Sequence, residues 1–536
     1  RVAITVERKV WEKAQAMVLT RALINIESVQ SKLLAQNVGY VRLKNFQGNT
    51  TRHLQASLES LAKEAGAGGL KGLVLDLRGN PGGLLEQAIQ VSDLFLSKGS
   101  IVTTVGLSDK LREEKRAHAD DGDKNYPIAV LVNAGSASAS EIVAGALKNL
   151  NRAVVIGRQT FGKGSVQVLY DFQDESALKL TIAKYLTPGD ISIQEVGIVP
   201  DIALVPTRVT RERLDVFAPR KSSGEADLEQ HFGNPGSQAV AKKREEVLGR
   251  GGKSPEELKY LKEDGKQKDA AARAQLTEEG KAPKLSKNDK GGVKKPGEKD
   301  KALEVDMSGA DEDLDDQLDA ESQDEIKEDF EVQFARDFVL KAPSSDREKM
   351  LQTGKSFLQE RRRAEEERIN GAIEALGVDW KPGPTPKNVQ LTATLKPGSE
   401  KRIMAGDVLE LEVTVENRGT DVVRRLRAWT DSENPFLDKR EFVFGAVKPG
   451  ERRSWKVPVK LPKELTARRD EVSVKFYDDR GLLPEAVSSE MSFGELPRPA
   501  FAFNWQVNDA CPGCNGDGLI QRGEQVELLL DVTNSG

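Results

Sequence analysis

Histidine is scarce: the 536 residues contain only His53, His118 and His231. Cysteine is scarcer, with Cys511 and Cys514 alone, which excludes a disulfide scaffold. No run of about 18 apolar residues occurs, so no segment reads as a membrane-spanning helix. A basic surplus is also missing. The net charge of -5 argues against a nucleic-acid partner, which calls for a basic face. Hydrophobic residues reach only 38% against 31% charged, so part of the chain is expected to stay unfolded. Neither an initiating Met nor a signal-peptide pattern opens the sequence, where Val2, Ile4 and Val6 already alternate as a strand. It reads as a fragment of a longer protein, with any address signal upstream.

What is present falls into blocks. Up to residue 206, strand and helix signals alternate. Residues 38–43 read as a strand, and Leu54, Leu58 and Leu61 follow helical spacing with Thr50 or Thr51 as cap. The run Gly72-Leu73-Val74-Leu75-Asp76-Leu77 is a buried-type strand, and a helix follows over 84–96. Strands over 128–132, 153–156, 166–170 and 178–185 and a helix over 141–147 complete an α/β reading. From 207 to 323 the periodicity fades. Residues 281–301 are Lys-rich, whereas residues 304–331 hold 14 acidic residues and one Lys. Like-charge blocks of this kind repel and cannot bury enough apolar surface to offset chain entropy, which predicts a charged, disordered linker. A charged helical segment is expected over 324–380, with two helices, 324–340 and 346–376.

After Lys381-Pro382-Gly383-Pro384-Thr385-Pro386 the pattern is all strand. Leu409, Leu411, Val413 and Val415 alternate, as do Trp455, Val457 and Val459, then Val472, Val474 and Phe476. Short strands with turn signals between them predict an immunoglobulin-like β-sandwich over 387–500. The stretch Gly406 to Gly419 recurs as Gly523 to Gly536, which marks 501–536 as the start of a second sandwich.

Three segments of the α/β part carry chemistry together. Leu75-Asp76-Leu77-Arg78-Gly79-Asn80-Pro81-Gly82-Gly83 is a strand ending in a glycine turn, which frees backbone N–H groups to face an anion. Asn133-Ala134-Gly135-Ser136-Ala137-Ser138-Ala139-Ser140-Glu141 runs strand, turn, helix, and puts a hydroxyl where the helix dipole favours a developing oxyanion. Thr160-Phe161-Gly162-Lys163-Gly164-Ser165-Val166-Gln167 presents a lysine between glycines, with Gln four positions on. None of the three histidines sits at a strand end near the serine turn, so a Ser–His–Asp triad is excluded from the reading. A lysine can replace the histidine if its amine is neutral, and burial disfavours the ammonium form. Residues 157–163 also fit the opening of a phosphate-binding loop. Gly164 stands where its Ser or Thr is required, however, and a strand follows where that loop needs a helix.

These segments, in this order, resemble the carboxyl-terminal processing peptidases, also called tail-specific proteases. Val38-Gly39-Tyr40, Tyr185-Leu186-Thr187-Pro188-Gly189 and Val196-Gly197-Ile198-Val199-Pro200-Asp201 add to the resemblance, which covers residues 1 to about 206. It implies a crotonase-like peptidase core over 9–206, with a mixed sheet and helices. It further implies Ser138 as nucleophile, Lys163 as general base and Gln167 orienting the lysine. The oxyanion donors would be the amides of Ala139 and Gly82, with Gly83 as the fallback. The implied activity is serine-type endopeptidase cleavage of polypeptides near their C-termini, without cofactor or metal. The implied location is the bacterial cell envelope, periplasmic or secreted, with a PDZ module upstream of which residues 1–8 are the remnant.

Other residues receive structural readings. Ser136 and Ser140 are taken to pack the turn, Glu141 to favour the helix dipole with catalytic support as the alternative, and Asp76 and Arg78 to brace the strand end. Cys511 and Cys514 are at most half a zinc site, and a local disulfide or free thiols suit them better. Asn515-Gly516-Asp517-Gly518 lacks the preceding Asp and the closing Glu of a calcium loop. The competing hypothesis is a catalytically idle scaffold whose sandwich binds a cell-surface protein. A retired protease tends to lose its serine or lysine, and this chain keeps both.

Overall fold

A computed structural model describes residues 2–6, 14–20, 27–106, 111–119, 125–174, 176–219, 224–227, 255–262, 326–397, 403–496, 501–508 and 526–534. His231, both cysteines, the 515–518 stretch and most of the expected linker lie outside the described residues. The chain divides into two units, one holding residues 1–207, 220–269 and 311–369, the other 208–219, 270–310 and 370–536.

The first unit contains β1 (Val2–Val6), β2 (Gln15–Leu19), β3 (Val29–Leu34), β4 (Val38–Leu43), α1 (Thr50–Glu64), β5 (Gly72–Asp76), α2 (Leu85–Asp93), β6 (Ser100–Gly106) and β7 (Arg112–Arg116). There follow β8 (Ile128–Val132), α3 (Ala139–Asn149), β9 (Val154–Gly157), β10 (Ser165–Asp171), β11 (Ala177–Thr187), β12 (Ile191–Ser192), β13 (Ile202–Val209) and, after β14 (Leu214–Asp215) of the second unit, β15 (Glu256–Leu261). Three helices close it: α4 (Phe330–Lys341), α5 (Arg347–Thr353) and α6 (Lys355–Ala375).

The main sheet runs β15-β13-β9-β8-β5-β4-β3, parallel throughout except for the antiparallel β3–β4 hairpin. Both faces are covered, which is why β5 and β8 read as continuous apolar runs instead of alternating. Leu73 and Leu75 of β5 and Ile128, Val130 and Val132 of β8 face a core shared with α1, α2 and α3. Val74, Ala129 and Leu131, between them in sequence, face a second core with Phe334, Phe338 and Val339 of α4 and Met350 of α5. A smaller antiparallel sheet, β10-β11-β6-β7 with β12 on β11, carries the strands that follow Lys163. β1 and β2 form a separate, exposed hairpin.

Three expectations change here. Residues 255–262 were assigned to the disordered linker, yet β15 pairs in parallel with β13 and buries Leu258 and Tyr260 in the second core. Within the expected helical segment, α4 and α5 supply apolar cover for one sheet face. Its expected second helix, 346–376, is broken at Gly354, where a side chain would collide with the Phe338 ring. The cap expected at Thr50 or Thr51 falls instead at Asn49.

In the second unit β16 (Leu391–Pro397), β18 (Val408–Asn417) and β21 (Arg452–Lys460) form one antiparallel sheet. A second has the order β17 (Ile403–Met404), β23 (Gly481–Gly494), β22 (Arg468–Asp478), β19 (Val423–Asp431), β20 (Glu441–Val447). Leu409, Leu411, Val413 and Val415 are buried on one face of β18, and Val472, Val474 and Phe476 on one face of β22. β24 (Phe501–Asn508) and β25 (Glu527–Asn534) pair as a two-stranded ribbon.

Candidate active site

Parallel strands deliver their C-terminal ends to one edge of a sheet, where ligands and catalytic groups collect. β5 and β8 are neighbours in register, Asp76 beside Leu131, so the glycine turn after β5 lies beside the serine turn after β8. The two turns are stitched together. Ala137 N–H donates to Asn80 O at 3.0 Å, Ser140 Oγ to the same oxygen at 2.9 Å, and Ser136 Oγ to Leu77 O at 2.7 Å. Ser136 and Ser140 thus spend their hydroxyls on backbone.

Ser138 caps α3 with φ 55° and ψ -111°. A side-chain-bearing residue is strained there by about 1–3 kcal/mol, which the surrounding hydrogen bonds must offset. As N-cap, the serine stands at the positive end of α3. Ala139 N–H, the first of the helix, has no acceptor among the described residues.

Gly82 packs directly on this turn: a Cβ there would lie 2.9 Å from Ser138 Cβ and 3.0 Å from Ala139 N. Its φ of 104° is open to glycine alone in practice. The Gly82 N–H, however, is committed to Asn80 Oδ1 at 2.9 Å. Asn80 is fully buried and anchored by donating to Leu43 O at 2.8 Å. Gly83 N–H has no acceptor among the described residues, while its neighbours bond Phe46 on both sides: Phe46 N–H to Gly82 O, and Leu84 N–H to Phe46 O. Of the two glycine amides the free one is Gly83, the fallback.

Glu141 joins the serine turn to the lysine loop, a role the dipole reading missed. The side chain is completely buried. Its Oε1 accepts from Thr160 Oγ1 at 2.5 Å and Gly162 N–H at 2.7 Å; its Oε2 accepts from Ser138 N–H at 2.8 Å and Lys163 N–H at 3.0 Å. Burial pushes this carboxyl up to about 7, against the pull of those four donors. Phe161 N–H adds a bond to Ser136 O at 3.0 Å. Lys163 is half-buried, and Gly164 N–H is held by Gln194 Oε1 at 2.9 Å. Gln167 is exposed on β10, its amide donating to Thr181 Oγ1 at 3.4 Å.

Arg78 and Asp76 lie under the glycine turn. Asp76 is buried and held below the usual carboxylate range by Arg78, against its desolvation. His53 neighbours Asn49, and the exposed His118 pairs with Asp93 Oδ2 at 2.9 Å; neither has a bond into the site. No group of three or more potential metal ligands occurs among the described residues.

Residues 37–204 match the model of peptidase family S41. The chain is 45% identical over 205 residues to a carboxy-terminal-processing protease of Bartonella bacilliformis, covering 38% of this chain and 46% of that protein. It is 40% identical over 194 residues to the carboxyl-terminal-processing protease of Synechocystis, covering 35% and 44%. Among solved structures it resembles a photosystem II D1 C-terminal processing protease at 34% identity and TM-score 0.31, over 35% of this chain and 51% of that one. The chain thus spans about half the length of the relatives it matches. It carries an S41 peptidase domain. The relatives it matches over this segment are named carboxy-terminal- and carboxyl-terminal-processing proteases.

Proposed function

We propose that the chain is a serine-type endopeptidase that cleaves polypeptides near their C-termini through an acyl-enzyme. The observation that carries this reading is the Glu141 carboxylate, one oxygen of which accepts from the backbone of both Ser138 and Lys163. Neutral Lys163 takes the Ser138 proton as Oγ attacks the scissile carbonyl. Ala139 N–H and Gly83 N–H stabilise the oxyanion, and Gln167 orients the lysine. Collapse of the tetrahedral intermediate breaks the C–N bond, and the leaving amine takes the proton back. Water then attacks the ester with Lys163 again as base, releasing the new C-terminus and restoring Ser138.

The peptidase part is crotonase-like and the second unit immunoglobulin-like, a binding module for a cell-surface protein. The location is the bacterial cell envelope, with a PDZ module preceding the peptidase core. The names of the relatives support the peptidase part of this reading, and the burial of the main sheet on both faces supports its layered core. Labelling with a fluorophosphonate tests it: Ser138 takes the phosphonyl group in the wild type, and a chain that stays unlabelled while folded refutes it.

A further inference from the structure

We propose that Glu331, with Asp329 beside it, is a positioning residue for the oxyanion turn, acting through Arg78. The inference rests on the peptidase reading and adds to it a segment far outside the S41 match, which ends at residue 204. Arg78 opens the turn Arg78–Gly83, and its guanidinium is divided among three carboxylates, those of Asp76, Asp329 and Glu331. Nε and Nη2 hold Asp76 at the end of β5, with Nη2–Oδ2 at 2.7 Å. Nη1 reaches the start of α4, donating to Asp329 Oδ2 and Glu331 Oε2, each at 2.8 Å. Asp329 is also the α4 N-cap, accepting from Val332 N–H at 2.9 Å.

Glu331 is the better placed of the two. Its side chain is 10% exposed, against 44% for Asp329, so solvent screens its interaction with Arg78 far less. Its other oxygen accepts from Tyr260 OH at 3.1 Å, and Tyr260 stacks on Phe330 at 4.2 Å. The carboxylate is therefore fixed from α4 and from β15 before it meets Arg78. On the far side, Arg78 N–H donates to Asp76 Oδ1 at 2.9 Å, and Tyr40 OH donates to Asp76 Oδ2 at 2.8 Å. A fork held at both ends is bidentate and directional, as a single lysine-like charge would not be.

The turn that this fork opens is tied further along, at Asn80 to the serine turn and at Gly82 to Phe46, so the fork fixes the end from which those contacts are aimed. Gly79, Gly82 and Gly83 all have positive φ and no side chains. Gly79 N–H is held by Asn133 Oδ1, and Asn80 by Leu43. An oxyanion donor loses its effect with small displacements, because stabilisation depends on preorganised distance. Loosening Nη1 is thus expected to lower turnover while leaving ground-state binding in place.

The test uses the full chain and quenched fluorescent casein, with kcat and KM measured separately. Glu331→Gln keeps the shape and the Tyr260 acceptor but removes the charge. The expected result is a fall in kcat on the order of tenfold with KM changed less than about twofold, and slower fluorophosphonate acylation of Ser138. Phe334→Leu is the control: it loosens α4 on the same core without touching Arg78, and its kcat should stay near wild type. An unchanged kcat in folded Glu331→Gln overturns the inference, as does an equal kcat loss in Phe334→Leu. If Glu331→Gln does not fold, the half-exposed Asp329→Asn decides by the same split. A wild type with no activity and no labelling refutes the peptidase reading instead, which keeps the two failures apart.

Discussion

Glu141 holds the backbone of Ser138 at 2.8 Å from inside the first turn of the helix that Ser138 caps. The same carboxylate holds Gly162 and Lys163. One buried side chain thus sets the spacing between the serine turn and the lysine loop, and three backbone N–H groups and one hydroxyl depend on it. Replacing Glu141 with Ala leaves those donors unpaired, at about 1–3 kcal/mol for each one that water cannot reach. We expect Glu141→Ala to reduce kcat by about two orders of magnitude or more and to lower the melting temperature. A variant with wild-type kcat would show that the bridge does not position the dyad.

The pH dependence of that bridge has a defined sign. Burial raises the Glu141 carboxyl to about 7 in the folded chain, from its ordinary value of 4.5. Its contribution to stability is therefore full below 4.5 and lost as pH rises through about 7. Activity runs the other way, since the ionised carboxylate is the form that accepts from all four donors and holds the serine turn to the lysine loop. Across this window turnover should rise while the melting temperature of wild type falls relative to Glu141→Gln. A melting-temperature difference that is flat with pH would contradict the assignment.

Much of the peptidase part can be read from sequence because its signals are local. The runs in β5 and β8, the glycine turn and the Ala-Ser-Ala-Ser-Glu turn announce strand, turn and helix within a few residues. β7 gives no such signal: Arg-Glu-Glu-Lys-Arg is an edge strand with nothing apolar to alternate. β15 was hidden differently, since its buried Leu258 and Tyr260 sit among charges and pair with a strand some fifty positions earlier. Glu141 and the Arg78 fork are long-range relationships. Sequence supplied the residue types, but Glu331 stands 253 positions from Arg78, and no periodicity connects them. The choice between Gly82 and Gly83 needed the Asn80 hydrogen bond.

The α4 cover predicts that the S41 segment is unstable by itself. Phe334 and Phe338 are fully buried against the face formed by Val74, Ala129, Leu131 and Val154. Phe338→Ala should cost about 3–5 kcal/mol, read as a shift in the denaturant midpoint. A chain ending before residue 326 should expose that face and bind a hydrophobic dye such as ANS. A truncated chain with wild-type melting and no dye binding would remove α4 from the core.

The serine turn makes a sharper distinction among neighbours. Ser136→Ala and Ser140→Ala each remove one hydroxyl-to-backbone bond, an effect of about 1 kcal/mol on stability. Both should retain fluorophosphonate labelling within a few-fold of wild type. Loss of labelling in folded Ser140→Ala would move the nucleophile.

The most direct measurement is intact-mass analysis after fluorophosphonate treatment of wild type, Ser138→Ala and Lys163→Ala, each shown folded by circular dichroism. The account predicts one phosphonyl adduct on the wild type, mapped to Ser138, none on Ser138→Ala, and labelling of Lys163→Ala slowed by orders of magnitude with casein hydrolysis lost. An adduct that persists in Ser138→Ala, or full labelling and hydrolysis in Lys163→Ala, would contradict it. A folded wild type with neither adduct nor hydrolysis would leave the idle scaffold as the correct reading.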